Sequence, residues 1–340
     1  MLPAMAFAQH RRALAARRPL PRPRLVVGIV VDQMRYDFLY RYWQKYPATG
    51  GFKRLLSQGF QYTNCHYDYV PTYTGPGHGA LYTGTGPSGH GIVGNNWFVR
   101  ETGKGVYVTE DASVQTVGST SAAGQMSPKH LLTTTITDEL RLADIESKVV
   151  GVCLKDRGSI LPAGHFPTGA YWFDGLTGSF ISSTYYKQQL PEWVTTFNAR
   201  RRTDTLLSHP WTPLLPLLTY TESTSDDAPW ENTFPGEEKP IFPHNLPAIL
   251  ASGLAKVAMT SQAPAVYDLI RQTPFGNTLT VEFAAAALVG ENLGKGPTTD
   301  FLAVSFSSTD YVGHFYGPNA VETEDTYLRL DHDLGALLDL

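Results

Sequence analysis

The seven-residue run Leu25-Val26-Val27-Gly28-Ile29-Val30-Val31 carries no polar side chain and gives way abruptly to Asp32. An unbroken apolar run, without the alternation of a half-solvated strand, predicts a strand buried on both faces with a carboxylate at its C-terminal end. The pattern returns at Lys148 to Leu154, followed by Lys155-Asp156-Arg157, and at Phe301 to Phe306, followed by Asp310 and His314. Helical spacing of apolar and aromatic residues marks Tyr36 to Tyr46, Phe52 to Leu56 before Gly59, and Leu131 to Leu142. Phe60 to Tyr69 is predicted as a strand, and His78 to Thr83 as a helix entered through the turn Thr74-Gly75-Pro76-Gly77. Strands alternating with helices predict an α/β fold with a doubly wound, mostly parallel sheet flanked by helices. Ligands bind outside the carboxyl ends of strands in such sheets, so Asp32, Lys155, Arg157, Asp310 and His314 are expected at one edge.

About Pro191 to Pro264 breaks this rhythm: it is rich in Pro, Trp, Thr and Ser and is expected to be an insertion, either a cap that shapes access or a surface elaboration. The remainder of residues 25–340 is expected to form one catalytic domain. Ahead of it, Ala6-Phe7-Ala8 before Gln9 matches a signal-peptidase pattern, and the arginine- and proline-rich stretch to Arg24 is expected to be a flexible leader. That makes residues 1–24 a signal remnant plus leader, and places the protein in the periplasm or outside the cell.

Charge narrows the partners. There are 27 basic and 31 acidic residues, a net charge of −4, and basic residues cluster only near the N-terminus, so nucleic acid is not an expected partner. No apolar stretch reaches the ~20 residues that span a bilayer. A monomer acting on small molecules is expected. Cys65 and Cys153 are compatible with one disulfide or with two free thiols.

Thr74 is the candidate nucleophile. A threonine hydroxyl needs a base or a metal to lower its pKa, and zinc does so without a histidine base. Asp310-x-x-x-His314 places a carboxylate and an imidazole on one face if the segment is helical, a pairing suited to zinc, and Asp32 offers a further carboxylate. Arg157 as a planar fork and Lys155 as a point charge suit phosphoryl oxygens, and Asn95 adds an amide donor. Taken singly, each also fits an ordinary role: a turn threonine, a solvated strand end, a turn asparagine after Gly94.

Together, Val30-Val31-Asp32-Gln33-Met34-Arg35, Thr74-Gly75-Pro76-Gly77-His78, Gly94-Asn95-Asn96-Trp97, Lys155-x-Arg157 and Asp310-x-x-x-His314 resemble the bacterial phosphate-irrepressible alkaline phosphatases. These belong to the alkaline phosphatase superfamily, beside the nucleotide pyrophosphatase/phosphodiesterases. The resemblance runs from about Leu25 to the end of the chain. It implies two zinc ions, one bound by Asp32 and Thr74 and the other by Asp310 and His314. It further implies in-line attack by Thr74, a phosphothreonine intermediate hydrolysed by zinc-bound water, and Asn95, Lys155 and Arg157 on the non-bridging oxygens. The Lys-x-Arg pair is similar to that of monoesterases, so phosphate monoesters are the expected substrates. A phosphodiesterase or nucleotide pyrophosphatase on the same site, and a non-catalytic phosphate binder, are the alternatives.

The family pattern continues with a strand ending in Asp-His and a distant histidine. Asp331-His332 lies instead in a run with leucines at helical period, and is expected on that helix's solvated face. The chain is accordingly expected to be an N-terminal fragment, incomplete at its C-terminus and short of zinc ligands. The 340 residues alone are expected to bind zinc weakly and turn over little. Robust zinc-dependent phosphatase activity from them would overturn that expectation.

Overall fold

A computed structural model of the protein describes residues 22–252 and 265–340. The Ala6-Phe7-Ala8 pattern, most of the leader and the last twelve residues assigned to the insertion lie outside the described residues. The strands are β1 (Leu25–Val31), β2 (Asn96–Val99), β3 (Lys104–Tyr107), β4 (Thr116–Val117), β5 (Val149–Cys153), β6 (Gly169–Asp174), β7 (Ser179–Ser183) and β8 (Asp300–Phe306). The first helices are α1 (Phe38–Arg41), α2 (Gly51–Gln58), α3 (Thr74–Thr83), α4 (Pro87–His90), α5 (Ile136–Ala143) and α6 (Asp156–Ala163). There follow α7 (Glu192–Ala199), α8 (Arg202–Leu206), α9 (Leu246–Ala251), α10 (Phe275–Gly290), α11 (Ser308–Tyr316) and α12 (Val321–Leu338).

The main sheet runs β1-β8-β5-β6-β7-β4, and β2 with β3 forms a separate hairpin. Pairings β1·β8, β8·β5 and β5·β6 are parallel, whereas β7 and β4 are added antiparallel. All seven residues of β8 are buried, and their alternation serves two helix layers. Phe301 and Ala303 pack with Tyr82 of α3 on one face, while Leu302, Val304 and Phe306 join the main cluster with Phe283 of α10 and Tyr327 of α12 on the other. The fold is therefore α/β with a mostly parallel sheet covered on both faces. Where α6 crosses β5 there is no room for a side chain: a Cβ on Gly151 would lie 2.6 Å from the Ser159 carbonyl oxygen.

Register explains why the polar clusters meet. Val31 pairs with Phe306, and Cys153 with Ser305, so β1, β8 and β5 end level with one another. The residues that follow these ends must leave at the same edge of the sheet.

Several expectations change. Phe60 to Tyr69 forms no strand: Phe60 and Tyr62 are exposed, and the segment joins no ladder among the described residues. Its spaced aromatics stack on each other, Phe60 on Tyr62 and Tyr67 on Tyr69, rather than on a sheet. The helix expected over Tyr36 to Tyr46 shortens to α1, although Phe38, Tyr42 and Tyr46 still pack together as a helical period would place them. Within Leu131 to Leu142 the helix starts only at Ile136, where Thr135 and Asp138 form a capping box. Cys65 is exposed, Cys153 is buried, and neither forms a disulfide. The strands β6 and β7 and the helix α10, the sheet's antiparallel extension and its main cover, were not anticipated.

Asp331 is a clear correction. It is fully buried, and its Oδ1 accepts the Phe52 amide at 2.7 Å, satisfying one of the free N–H groups at the start of α2. Of the expected solvated pair, only His332 is exposed.

The described part of the insertion packs on the helical layer. Trp193 meets Phe283, Arg202 forms a bidentate pair with Glu282, and Trp211 and Tyr220 donate to Asp325. Its deepest seam is polar. The His244 ring sits between Glu237, at 3.0 Å, and Glu322 of α12, at 3.4 Å. Burial pushes Glu322 up to about 7. Burial opposes the charge on His244 too, but its two glutamates outweigh that and hold its pKa up at about 9.

Both groups bind protons more tightly folded than unfolded, so their contribution is fully present at low pH and lost as pH rises. Glu322 loses its share between its ordinary 4.5 and about 7, and His244 between 6.5 and about 9. The unfolding midpoint should fall across both windows, and Glu322→Gln should flatten the lower one. A denaturation series from pH 4.5 to 9 with identical slopes for both proteins would contradict this seam.

Asp331→Ala, which orphans the Phe52 amide, should cost about 1–2 kcal/mol by chemical unfolding. His332→Ala should change stability by no more than about 0.5 kcal/mol.

Candidate active site

β1 delivers Asp32 to the edge. Its amide continues the ladder to the Phe306 carbonyl at 3.0 Å, and the Thr309 hydroxyl donates to its own carbonyl at 2.6 Å. Gln33 then adopts a left-handed conformation, φ 59°, which turns the chain sharply away. Opposite stands Thr74, the first residue of the ten-residue helix α3, with its hydroxyl 3.1 Å from Asp32 Oδ2. The helix N-terminus adds a positive dipole end beside that oxygen.

Two contacts fix this corner. Asn95 Oδ1 accepts the Gly75 amide at 2.8 Å, which commits its carbonyl oxygen inward and leaves its amide nitrogen as the donor. His78, four residues into the helix, bridges the Thr74 carbonyl at 2.8 Å and the Ser305 hydroxyl of β8 at 2.7 Å. Burial drives its pKa down, so the ring is neutral and acts as a strut.

Lys155 follows β5 and is only 3 % exposed. Its ammonium donates to Asp32 Oδ2 at 2.5 Å and also contacts Asp310 Oδ2 and the face of Tyr311, with Thr74 Oγ1 at 3.5 Å. Burial opposes the charge, but the two aspartates more than offset it and raise the Lys155 pKa. Arg157, in the first turn of α6, donates from Nη1 to the Tyr107 hydroxyl at 2.8 Å.

α11 carries the third cluster. Asp310 and His314 share a face as the spacing predicted, with His314 Nε2 3.3 Å from Asp310 Oδ1. Burial pushes the Asp310 carboxyl up, yet His314 and Lys155 together hold it well below the usual carboxylate range. The structure thus brings Asp32, Thr74, Lys155 and Asp310 into direct contact, with Asn95, Arg157 and His314 around them.

A divalent metal, as the resemblance implies, was tested against these donors. Asp32 and Asp310 both contact one ammonium group, so the space between them already suits a cation. The donors fall into two pairs, Asp32 with Thr74 and Asp310 with His314. Among the described residues no group of three or more His, Cys, Asp or Glu is placed to hold a metal ion. The chemistry fits a metal site in part: each pair supplies two of the four donors that tetrahedral zinc takes.

A cavity of about 880 Å³ opens beside the cluster, lined at one end by Lys155, Arg157, Tyr107 and Tyr311 and farther out by Trp172 and Arg271. None of the insertion's described residues lines it. Among its described residues the insertion meets α11, where the Asn232 amide donates to the Phe315 carbonyl and Phe234 stacks on the Phe315 ring, contacts that buttress that helix. A larger groove of about 1000 Å³ between α7 and α10 contains none of the candidate groups, so the chemistry favours the smaller cavity. Sequence reasoning missed His78, Tyr107, Asp156 and Tyr311 as parts of the site. His78 stood four residues after Thr74 at the start of an expected helix, and Asp156 and Tyr311 adjoin candidate residues, all usable signals; Tyr107 gave none.

The chain belongs to the type I phosphodiesterase / nucleotide pyrophosphatase family, whose model matches residues 26–340. It is 54 % identical over 317 residues to alkaline phosphatase PafA of Elizabethkingia meningoseptica, covering 93 % of this chain and 56 % of that protein. To alkaline phosphatase PhoV of Synechococcus elongatus it is 53 % identical, covering 97 % and 58 %. The crystal structure of wild-type PafA superposes with a TM-score of 0.88 at 52 % identity, covering 95 % of this chain and 60 % of that one. A PafA mutant with a threonine changed to serine, and an asparagine, a lysine and an arginine changed to alanine, matches equally well at 51 % identity. The chain therefore spans somewhat over half the length of these relatives.

Removing the shared ammonium should be costly. Lys155→Met leaves two buried carboxylates facing each other and is expected to lose about 3–5 kcal/mol of stability when unfolded in the presence of a chelator. Asp32→Asn in that background should recover part of the loss. Equal unfolding free energies for wild type and Lys155→Met would show that the ammonium does not hold the strand ends together.

Proposed function

We propose that the protein is a phosphomonoester hydrolase of the alkaline phosphatase type, with Thr74 as nucleophile and zinc as its metal. The observation that carries this reading is one hydroxyl at a helix N-terminus, 3.1 Å from a carboxylate and 3.5 Å from the Lys155 ammonium, with Lys155 and Arg157 lining the adjoining cavity. Such an arrangement suits attack on a dianionic group. The kinship with named phosphatases supports it. In the PafA mutant the substituted Thr and Asn stand 21 positions apart and the Lys and Arg two apart, the separations of Thr74 from Asn95 and Lys155 from Arg157 here.

In this reading the substrate's phosphoryl group sits at the α3 N-terminus. Asn95, Lys155 and Arg157 donate to its non-bridging oxygens and balance their charge. The Thr74 oxygen forms a bond to phosphorus as the ester oxygen departs in line, giving a phosphothreonine and an alcohol. Water then cleaves that phosphothreonine, returning the hydroxyl and releasing inorganic phosphate. Zinc, when bound by Asp32 with Thr74 and by Asp310 with His314, would lower the pKa of the hydroxyl and stabilise the leaving oxygen. Export from the cytoplasm belongs to the same proposal and rests on Ala6-Phe7-Ala8 alone.

The family description names phosphodiesterases, which favours a diester-cleaving second reading. Two cations beside the nucleophile argue the other way, since a dianion gains more from them than a monoanion. In the full-length protein, an aryl phosphate should be hydrolysed faster than its methyl diester. Arg157→Ala should cost roughly 10²-fold in monoester kcat/KM and no more than about tenfold for the diester, as expected for loss of a charged donor in the transition state. Thr74→Ala should abolish turnover while inorganic phosphate still binds, and acid quenching of the wild type should trap phosphothreonine at Thr74. A wild type faster on the diester would favour the second reading; phosphate binding with no adduct would mean a binding protein.

A further inference from the structure

The guanidinium of Arg157 is held by one edge only. Nη1 donates to the Tyr107 hydroxyl at 2.8 Å, whereas Nε is buried with no partner. The Tyr107 hydroxyl donates to Asp156 Oδ1 at 2.6 Å, and the Thr109 hydroxyl donates to the same oxygen at 3.2 Å. Thr109 is fully buried, so this chain of contacts is anchored under the hairpin β2–β3.

The order of these groups matters chemically. A carboxylate paired directly with Arg157 would neutralise it and occupy the fork that a phosphoryl group needs. Here the carboxylate of Asp156 is one hydrogen bond removed: it polarises Tyr107, and Tyr107 accepts from a single guanidinium nitrogen. Burial pushes the Tyr107 hydroxyl pKa up, so it remains a neutral donor and acceptor. With Nη1 tethered to Tyr107 and Nε buried, Nη2 is the guanidinium nitrogen left to meet a phosphoryl oxygen.

We infer that Tyr107, backed by Asp156 and Thr109, is the positioning residue that presents the Arg157 guanidinium to a dianionic terminal phosphoryl group. It thereby supports the choice of monoester over diester. This inference rests on the phosphoryl-transfer reading of the site.

The test is a double-mutant cycle in the full-length protein, using Tyr107→Phe, Arg157→Ala and the pair. Aryl phosphate and its methyl diester serve as substrates, and inorganic phosphate as a binding probe measured by calorimetry. Losing one hydrogen bond to a charged group should lower monoester kcat/KM and phosphate affinity about tenfold, and diester kcat/KM less than about threefold. In the Arg157→Ala background Tyr107→Phe should change none of these. An equal loss on both substrates, a loss that persists without Arg157, or no loss at all overturns the inference, because each describes a residue acting on something other than Arg157. If Tyr107→Phe does not fold, Asp156→Asn replaces it and should show the same dependence on Arg157 at smaller amplitude. Failure of the underlying reading is recognisable separately: the wild type would then neither cleave aryl phosphate nor bind inorganic phosphate, and the inference would fall with it.

Discussion

One ammonium group holds the edge of the sheet together. Lys155 Nζ lies against Asp32 and Asp310 at once, and these residues follow three adjacent strands, β5, β1 and β8. A cation shared by two carboxylates offsets the desolvation and mutual repulsion that gathering them at one edge would cost. The parallel register brings the three strand ends level, and the charge balance then decides what can occupy the space above them. Tyr311 on the far side of the ammonium adds an aromatic face and little competing solvation. The surroundings of Thr74 follow from this arrangement: its hydroxyl and the Lys155 ammonium meet on the same carboxylate oxygen, Asp32 Oδ2.

What was legible in the sequence was whatever runs along one strand or one helix. Continuous apolar runs marked β1, β5 and β8, and the polar residues after each were correctly expected at one edge. The i, i+4 spacing of Asp310 and His314 likewise survived, because a helical face is a local property. Contacts that cross the chain were not legible. Nothing in the segment around Tyr107 announces that its hydroxyl will meet Asp156 and Arg157, some fifty residues on. Asp331 failed for the same reason: its period along α12 reads as solvated, yet α2 lies there and needs an acceptor for its Phe52 amide. Phe60 to Tyr69 failed differently, since aromatic spacing alone cannot supply a partner strand, and its rings found one another instead.

The proline- and tryptophan-rich composition of the insertion left a cap and a surface elaboration equally open, and large aromatic and charged side chains also suit a seam against amphipathic helices. The latter is what Trp193, Arg202, Trp211 and Tyr220 do. Its polar seam at His244 and Glu322 ties it to α12, and its Phe234 stacks on Phe315. The insertion thus bears on chemistry through the placement of α11.

This placement makes the two halves of the site unequal. Thr74, Asn95, Lys155 and Arg157 are held by hydrogen bonds to residues of other elements, Gly75, Asp32 and Tyr107 among them, so the phosphoryl-facing half is positioned by the protein itself. On the other half, Asp310 is anchored by Lys155, but the His314 side chain is 54 % exposed and touches only its neighbour one turn back. A metal ion gains from preformed donors in proportion to how little they must be reordered. The Asp310–His314 pair offers one ordered and one loosely held donor. The half formed by Thr74, Asn95, Lys155 and Arg157 is therefore the better organised of the two, and it is the half to which the proposed reading assigns the phosphoryl group.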